Sequence, residues 1–141
     1  MVKENSSASL ITVVDNDFRI LESLESLVES AGYTAGVFPS GEAFLESQAV
    51  AAASCLVADV RMPNVDGLEL QRRVKRNWPE LPIILMTAHY DSEVKRRAIE
   101  GGAVGFLRKS FSGLEFLSRQ GRQIEFIRAV RQAVSEPSAK E

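Results

Sequence analysis

The sequence predicts an α/β domain with a doubly wound parallel sheet, and three observations carry that expectation. Runs suited to strands alternate with runs suited to helices five times along 141 residues. Among the strand runs, Leu10-Ile11-Thr12-Val13-Val14 is largely β-branched and Pro82 to Met86 is apolar without interruption, as strands buried on both faces require. The residues at their carboxyl ends are the polar ones: Asp15, Asp59, Thr87 and Lys109. A strand-plus-helix unit takes roughly 20 to 30 residues. The separations among these four residues therefore place them at one edge of strands one, three, four and five. In open α/β sheets that edge is where ligands bind.

The first strand covers Leu10 to Val14 and ends in Asp15-Asn16-Asp17. Ile20, Leu21, Leu24, Leu27 and Val28 then recur at helical spacing, with Gly32 as the C-cap. Strand two is expected from Ala35 to Phe38. Ser40 caps a short helix carrying Ala43, Phe44 and Leu45, with Glu42 in the first turn to oppose the helix dipole. The segment Ala49 to Ala53 reads equally as helix end or loop. Cys55-Leu56-Val57-Ala58 forms strand three and ends on Asp59. Met62-Pro63 and Asp66-Gly67 punctuate a loop, and an amphipathic helix follows from Leu68 to about Asn77 before Trp78-Pro79 breaks it. Strand four ends at Thr87. A helix runs from near Ser92 to Glu100 and is closed by Gly101-Gly102. Strand five spans Val104 to Leu107, with Arg108-Lys109 just beyond. Residues 113–134 are again helical in pattern.

The expected organisation is a polar leader (residues 1–9), one domain (10–134) with an extended C-terminal helical segment, and a polar tail (135–141). The hydrophobic content of 45% supports a real core, and a net charge of −2 gives no global field for nucleic acid or anionic membrane. Arg72-Arg73-Lys75-Arg76 and Lys95-Arg96-Arg97 read as solvated helix faces. One cysteine, Cys55, forms no intrachain disulfide, and no apolar stretch approaches the ~20 residues of a membrane span. The leader lacks the apolar run of a signal peptide, so the expected location is the cytoplasm.

Two acids at one strand end and a third at a neighbouring one suit a hard cation such as Mg²⁺. With the metal sharing charge, a carboxylate is able to attack a phosphoryl group while an ammonium and a hydroxyl hold its other oxygens. Asp59, Lys109 and Thr87 fill those roles. Gly101, Gly102 and Gly105 follow a helix instead of opening one, so they form no dinucleotide fingerprint. His89 reads as an ordinary loop histidine at the entrance.

In order and spacing, Val13-Val14-Asp15, Asp59-Val60-Arg61-Met62-Pro63 with Gly67, Met86-Thr87-Ala88, and Gly102-Ala103-Val104-Gly105-Phe106 with Lys109 resemble the receiver domain of two-component response regulators. The resemblance covers about Leu10 to Phe111. It implies a flavodoxin-like (βα)5 fold with strand order 2-1-3-4-5. It implies that Asp59 accepts a phosphoryl group from the phosphohistidine of a sensor histidine kinase. Mg²⁺ would be held by Asp15, Asn16, Asp59 and the backbone carbonyl of Arg61. Thr87 and Phe106 would form the switch pair, and Lys109 would pair with phosphoryl oxygens. The face of the fourth helix, fifth strand and fifth helix would signal to an output partner, or to a covalently linked DNA-binding domain absent from this chain. Such a protein is no enzyme beyond its own phosphorylation and dephosphorylation, and the domain itself contacts neither membrane nor nucleic acid.

Two positions depart from the family pattern. Asn16 replaces the second of two adjacent acids, which predicts weaker Mg²⁺ binding. Ser110 stands where the family has proline, so the Lys109–Ser110 bond is expected to be trans. Two alternatives remain beside the receiver reading. A phosphatase of the haloacid dehalogenase type would use Asp15-Asn16-Asp17 as a D-x-D nucleophile motif, and a receiver-fold binding module would not be phosphorylated. Finally, Leu114, Leu117, Ile124, Ile127, Val130 and Val134 form an apolar stripe that Gly121 divides. Part of it, with Phe116 and Phe126, is expected to stay unburied and to mediate homodimerisation or partner docking.

Overall fold

In a computed structural model that describes residues 9–109 and 120–135, the five strands form one parallel sheet. They are β1 (Leu10–Val14), β2 (Thr34–Phe38), β3 (Cys55–Asp59), β4 (Ile83–Thr87) and β5 (Gly105–Arg108), in the order β2-β1-β3-β4-β5. Between and after them run α1 (Phe18–Ser30), α2 (Gly41–Glu46), α3 (Ala49–Ala52), α4 (Gly67–Asn77), α5 (Ser92–Glu100) and α6 (Gln120–Ser135). The segment Ala49 to Ala53, open between helix and loop, is thus mostly a single helical turn. Residues 1–8, 110–119 and 136–141 lie outside the described residues, and with them most of the leader and tail, the Lys109–Ser110 bond, and Leu114, Phe116 and Leu117 of the expected C-terminal stripe.

Side-chain alternation along the strands divides the core into two layers. On one face Ile11, Val13, Val57, Ile84, Met86 and Leu107 pack against Leu21, Leu24 and Val28 of α1 and Phe126, Val130 and Ala133 of α6. On the other, Val14, Leu56, Ala58, Ile83 and Leu85 pack against Phe44, Leu70, Val74 and Ala98 of α2, α4 and α5. Full burial of each large aliphatic or aromatic side chain contributes about 1.5–3 kcal/mol, so both layers are needed to offset chain entropy. Thr12 is the buried polar exception in β1, and its hydroxyl donates to the Cys55 carbonyl at 3.0 Å.

The helices α1, α2, α4 and α5 begin where capping chemistry favours it. Asp17, Ser40, Asp66 and Asp91 each accept from backbone N–H groups of the first turn that follows them. Gly32 takes φ +98° just past α1, the left-handed conformation in which a side chain would be strained.

The C-terminal expectation needs correction at Phe126. Phe126 is fully buried, and the inward face of α6 is Phe126, Val130 and Ala133, whereas Ile124 is half exposed. One sheet face has α1 alone to cover it until α6 arrives, so α6 caps its own domain. Phe126 is therefore unavailable as the exposed anchor of a dimer.

Candidate functional site at the carboxyl edge of the sheet

Because β1 lies between β2 and β3, the chain leaves β1 toward one edge of the sheet and leaves β3 toward the other. The helices after them, α1 and α4, pack on opposite faces. Their loops diverge and leave a crevice at the ends of β1 and β3, the topological switch point. Asp15 and Asp59 stand at that crevice. Asp15 is 1% exposed and Asp59 is 7% exposed.

Lys109 joins them from the end of β5. Its ammonium donates to Asp15 Oδ2 at 2.8 Å and lies 3.5 Å from Asp59 Oδ1. The chain is held in place for this contact by its own backbone, since the Lys109 N–H donates to the Thr87 carbonyl at 2.7 Å. Two carboxylates facing one ammonium leave one negative charge without a counterpart when both are ionised. Burial pushes the Asp59 carboxyl up to about 6; Lys109 lowers it, the neighbouring Asp15 raises it, and the Arg61 N–H lowers it.

The loop after β3 is anchored by Val60, Met62 and Val65, which are buried, while Arg61 is exposed and contributes through its backbone. Gly67 allows α4 to start against the strand end, because a Cβ there would lie 2.5 Å from the Asp59 carbonyl oxygen. The signal for this close approach was the Asp66-Gly67 pair, readable in the sequence only as a turn.

Asn16 is exposed beside Asp15. Asp17 does not turn into the crevice. Its carboxylate caps α1 through the Arg19 N–H at 2.9 Å and pairs with the Arg19 guanidinium at 3.4 Å, contacts that hold it below its usual range. Asp15 and Asp17 therefore do not act as a D-x-D pair in one site. The Asp15 Oδ1 instead accepts from the Asp17 N–H at 2.9 Å. Among the described residues no group of three or more His, Cys, Asp and Glu converges as a metal cluster. The donors that the chain offers here are the Asp15 and Asp59 carboxylates, with the Asn16 carboxamide and the Arg61 backbone carbonyl close to them in sequence. All are hard oxygen donors and the set carries excess negative charge, so the residues present fit a Mg²⁺-like cation.

Thr87, 1% exposed, closes the crevice at the end of β4. Its hydroxyl does not turn toward the acids: it donates to the His89 carbonyl at 3.1 Å and accepts from the His89 N–H at 3.1 Å. Phe106 is half-buried against the cluster that contains Leu85 and Ala98. A contact that sequence reasoning missed lies next to this pair, where the Arg108 guanidinium sits 4.6 Å over the centre of the Tyr90 ring.

A doubly wound five-stranded sheet with paired acids and a lysine at its switch point is the arrangement found here. The family model for the response regulator receiver domain matches residues 11–119, and the chain belongs to that family. It is 41% identical over 110 residues to the response regulator protein TodT of Pseudomonas putida, covering 78% of this chain and 48% of that protein. It is 40% identical over 130 residues to the transcriptional regulatory protein FixJ of Bradyrhizobium diazoefficiens, covering 92% of this chain and 60% of that one. Among solved structures, the signal receiver domain of an HD domain-containing protein from Pseudomonas fluorescens Pf-5 superposes with a TM-score of 0.78 at 25% identity, covering 94% of this chain and 98% of that one. The chain thus spans about half the length of the curated relatives it matches. The phosphatase alternative finds no support in these likenesses. Among the described residues no helix is long and apolar enough to cross a membrane.

Proposed function

We propose that this receiver domain takes a phosphoryl group onto Asp59 from the phosphohistidine of a sensor histidine kinase. The observation that supports this best is the Lys109 ammonium set between the buried Asp15 and Asp59 carboxylates. In the step, a carboxylate oxygen of Asp59 attacks phosphorus, the phosphorus–nitrogen bond breaks, and the electron pair leaves with the imidazole. Lys109 shifts its charge from the acids to the phosphoryl oxygens that arrive beside it. Asp15, Asn16, Asp59 and the Arg61 carbonyl would hold Mg²⁺, which supplies charge neutralisation for the transferring group. Hydrolysis of the acyl phosphate by water returns Asp59 as a carboxylate and releases phosphate, so the protein catalyses only its own modification.

On this reading the Thr87 hydroxyl leaves the His89 backbone for a phosphoryl oxygen, and Phe106 moves into the space vacated. The change reaches α5, β5 and α6, where an output partner or a linked DNA-binding domain reads it. The receiver would comprise residues 10–134, between a polar leader (1–9) and tail (135–141), and would work in the cytoplasm. Incubation with acetyl phosphate and Mg²⁺, followed by intact mass, tests the proposal. One phosphoryl group is expected on the natural chain and none on Asp59→Asn. No gain by either protein would favour a receiver-fold binding module.

A further inference from the structure

We infer that Tyr90 and Arg108 are positioning residues for Thr87, clamping the turn after β4 in the arrangement that keeps its hydroxyl away from Asp59; this rests on the phosphoacceptor reading above. Thr87 and Arg108 are register partners in the β4–β5 ladder, and the Lys109 N–H holds the Thr87 carbonyl at 2.7 Å. The three residues that follow Thr87 are exposed, so little packing fixes them. Two sets of contacts do. The Thr87 hydroxyl is bonded in both directions to the His89 backbone, and the next residue, Tyr90, lies under the Arg108 guanidinium at 4.6 Å. Turning the hydroxyl toward Asp59 gives up both bonds to the His89 backbone, whose carbonyl belongs to the peptide that leads into Tyr90.

The clamp also involves the strand on which Phe106 sits. Phe106 and Arg108 are two residues apart in β5 and so project to the same face, that of α5. An arginine stacked on an aromatic ring is a contact of directional, cation–π character that a lysine or an aliphatic residue reproduces poorly. Release of Tyr90 would thus free Thr87 and loosen the surroundings of Phe106 together. The clamp opposes the phosphorylated arrangement, and weakening it should favour that arrangement.

The test uses beryllium fluoride with Mg²⁺ as the phosphoryl mimic, with binding read from the amide resonances of residues 87–91. Tyr90→Leu and Arg108→Met should each lower the half-saturating concentration about two- to fivefold, the range a single partly exposed cation–π contact commands. The double variant should gain no more than either single one, and Tyr90→Phe, which keeps the ring, should match the natural chain. Unchanged half-saturation in both single variants, with only thermal stability reduced, overturns the clamp while leaving the phosphoacceptor reading in place. Additive gains, or a Tyr90→Phe variant that behaves like Tyr90→Leu, also overturn it. A natural chain that fails to bind the mimic, or an Asp59→Asn variant that binds it equally well, overturns both.

Discussion

At the residue scale, Asp59 carries the account, and its raised pKa has a definite sign. Burial lifts the carboxyl from 3.8 to about 6, so the folded state holds its proton to higher pH than the unfolded chain does. This group's contribution to stability is therefore greatest below about pH 4 and falls as pH rises toward 6. Asp59→Asn removes the penalty. Urea melts of the metal-free protein should show the variant gaining on the natural chain between about pH 4 and about pH 7, by up to about 3 kcal/mol. A gain that shrinks over that range would mean Lys109 outweighs burial at this carboxyl. Asn16 offers a second prediction. Asp17 is committed to capping α1 and to Arg19, so it does not supply the missing charge. Asn16→Asp should tighten Mg²⁺ binding in a calorimetric titration, and equal binding would contradict the assignment of Asn16 to the ligand set. The positions of Asp15, Asp59, Thr87 and Lys109 at one edge were legible from sequence, because charged or hydroxyl residues closing apolar strands have few other places to go. The direction of the Thr87 hydroxyl was not, since it depends on a three-residue turn whose geometry no periodicity encodes.

At the scale of elements, α4 and α6 make the strongest demands on their residues. Gly67 has no room for a methyl group against the Asp59 carbonyl, so Gly67→Ala should displace the start of α4 or the end of β3. A loss of about 1–3 kcal/mol in denaturant unfolding is expected, with slower gain of a phosphoryl group from acetyl phosphate. Phe126 fills the layer between α6 and the sheet, and Phe126→Ala should cost about 3–5 kcal/mol. A loss under 1 kcal/mol would mean that α6 is not docked. The inward face of α6 was misread because residues 124, 127, 130 and 134 form a plausible stripe on their own. Val130 belongs to both faces, but Phe126 and Ala133 lie a fraction of a turn from Ile124, and only the uncovered sheet face decides between the two. Strands, by contrast, were readable nearly to their ends: β1 starts and stops at the expected residues, and β5 is displaced by one.

For the whole molecule, alternation along the chain specified a parallel sheet with helices on both faces, yet left the strand order open. Periodicity says which residues a strand buries and nothing about which strand lies beside it. The order 2-1-3-4-5 came from the resemblance carried by Asp59 to Pro63, Thr87 and Lys109, and the fold bears it out. That order is what makes a site of the acids, since it puts β1 beside β3 and sends their loops apart. The central claim is that this switch point directs a phosphoryl group to Asp59 and not to Asp15, whose carboxylate is occupied by Lys109 and the Asp17 N–H. Borohydride reduction of the acetyl phosphate-treated protein, followed by peptide mapping, locates the acyl phosphate directly, as homoserine in place of the modified aspartate. Homoserine is expected at position 59 alone. Homoserine at position 15, or at both positions, would contradict it.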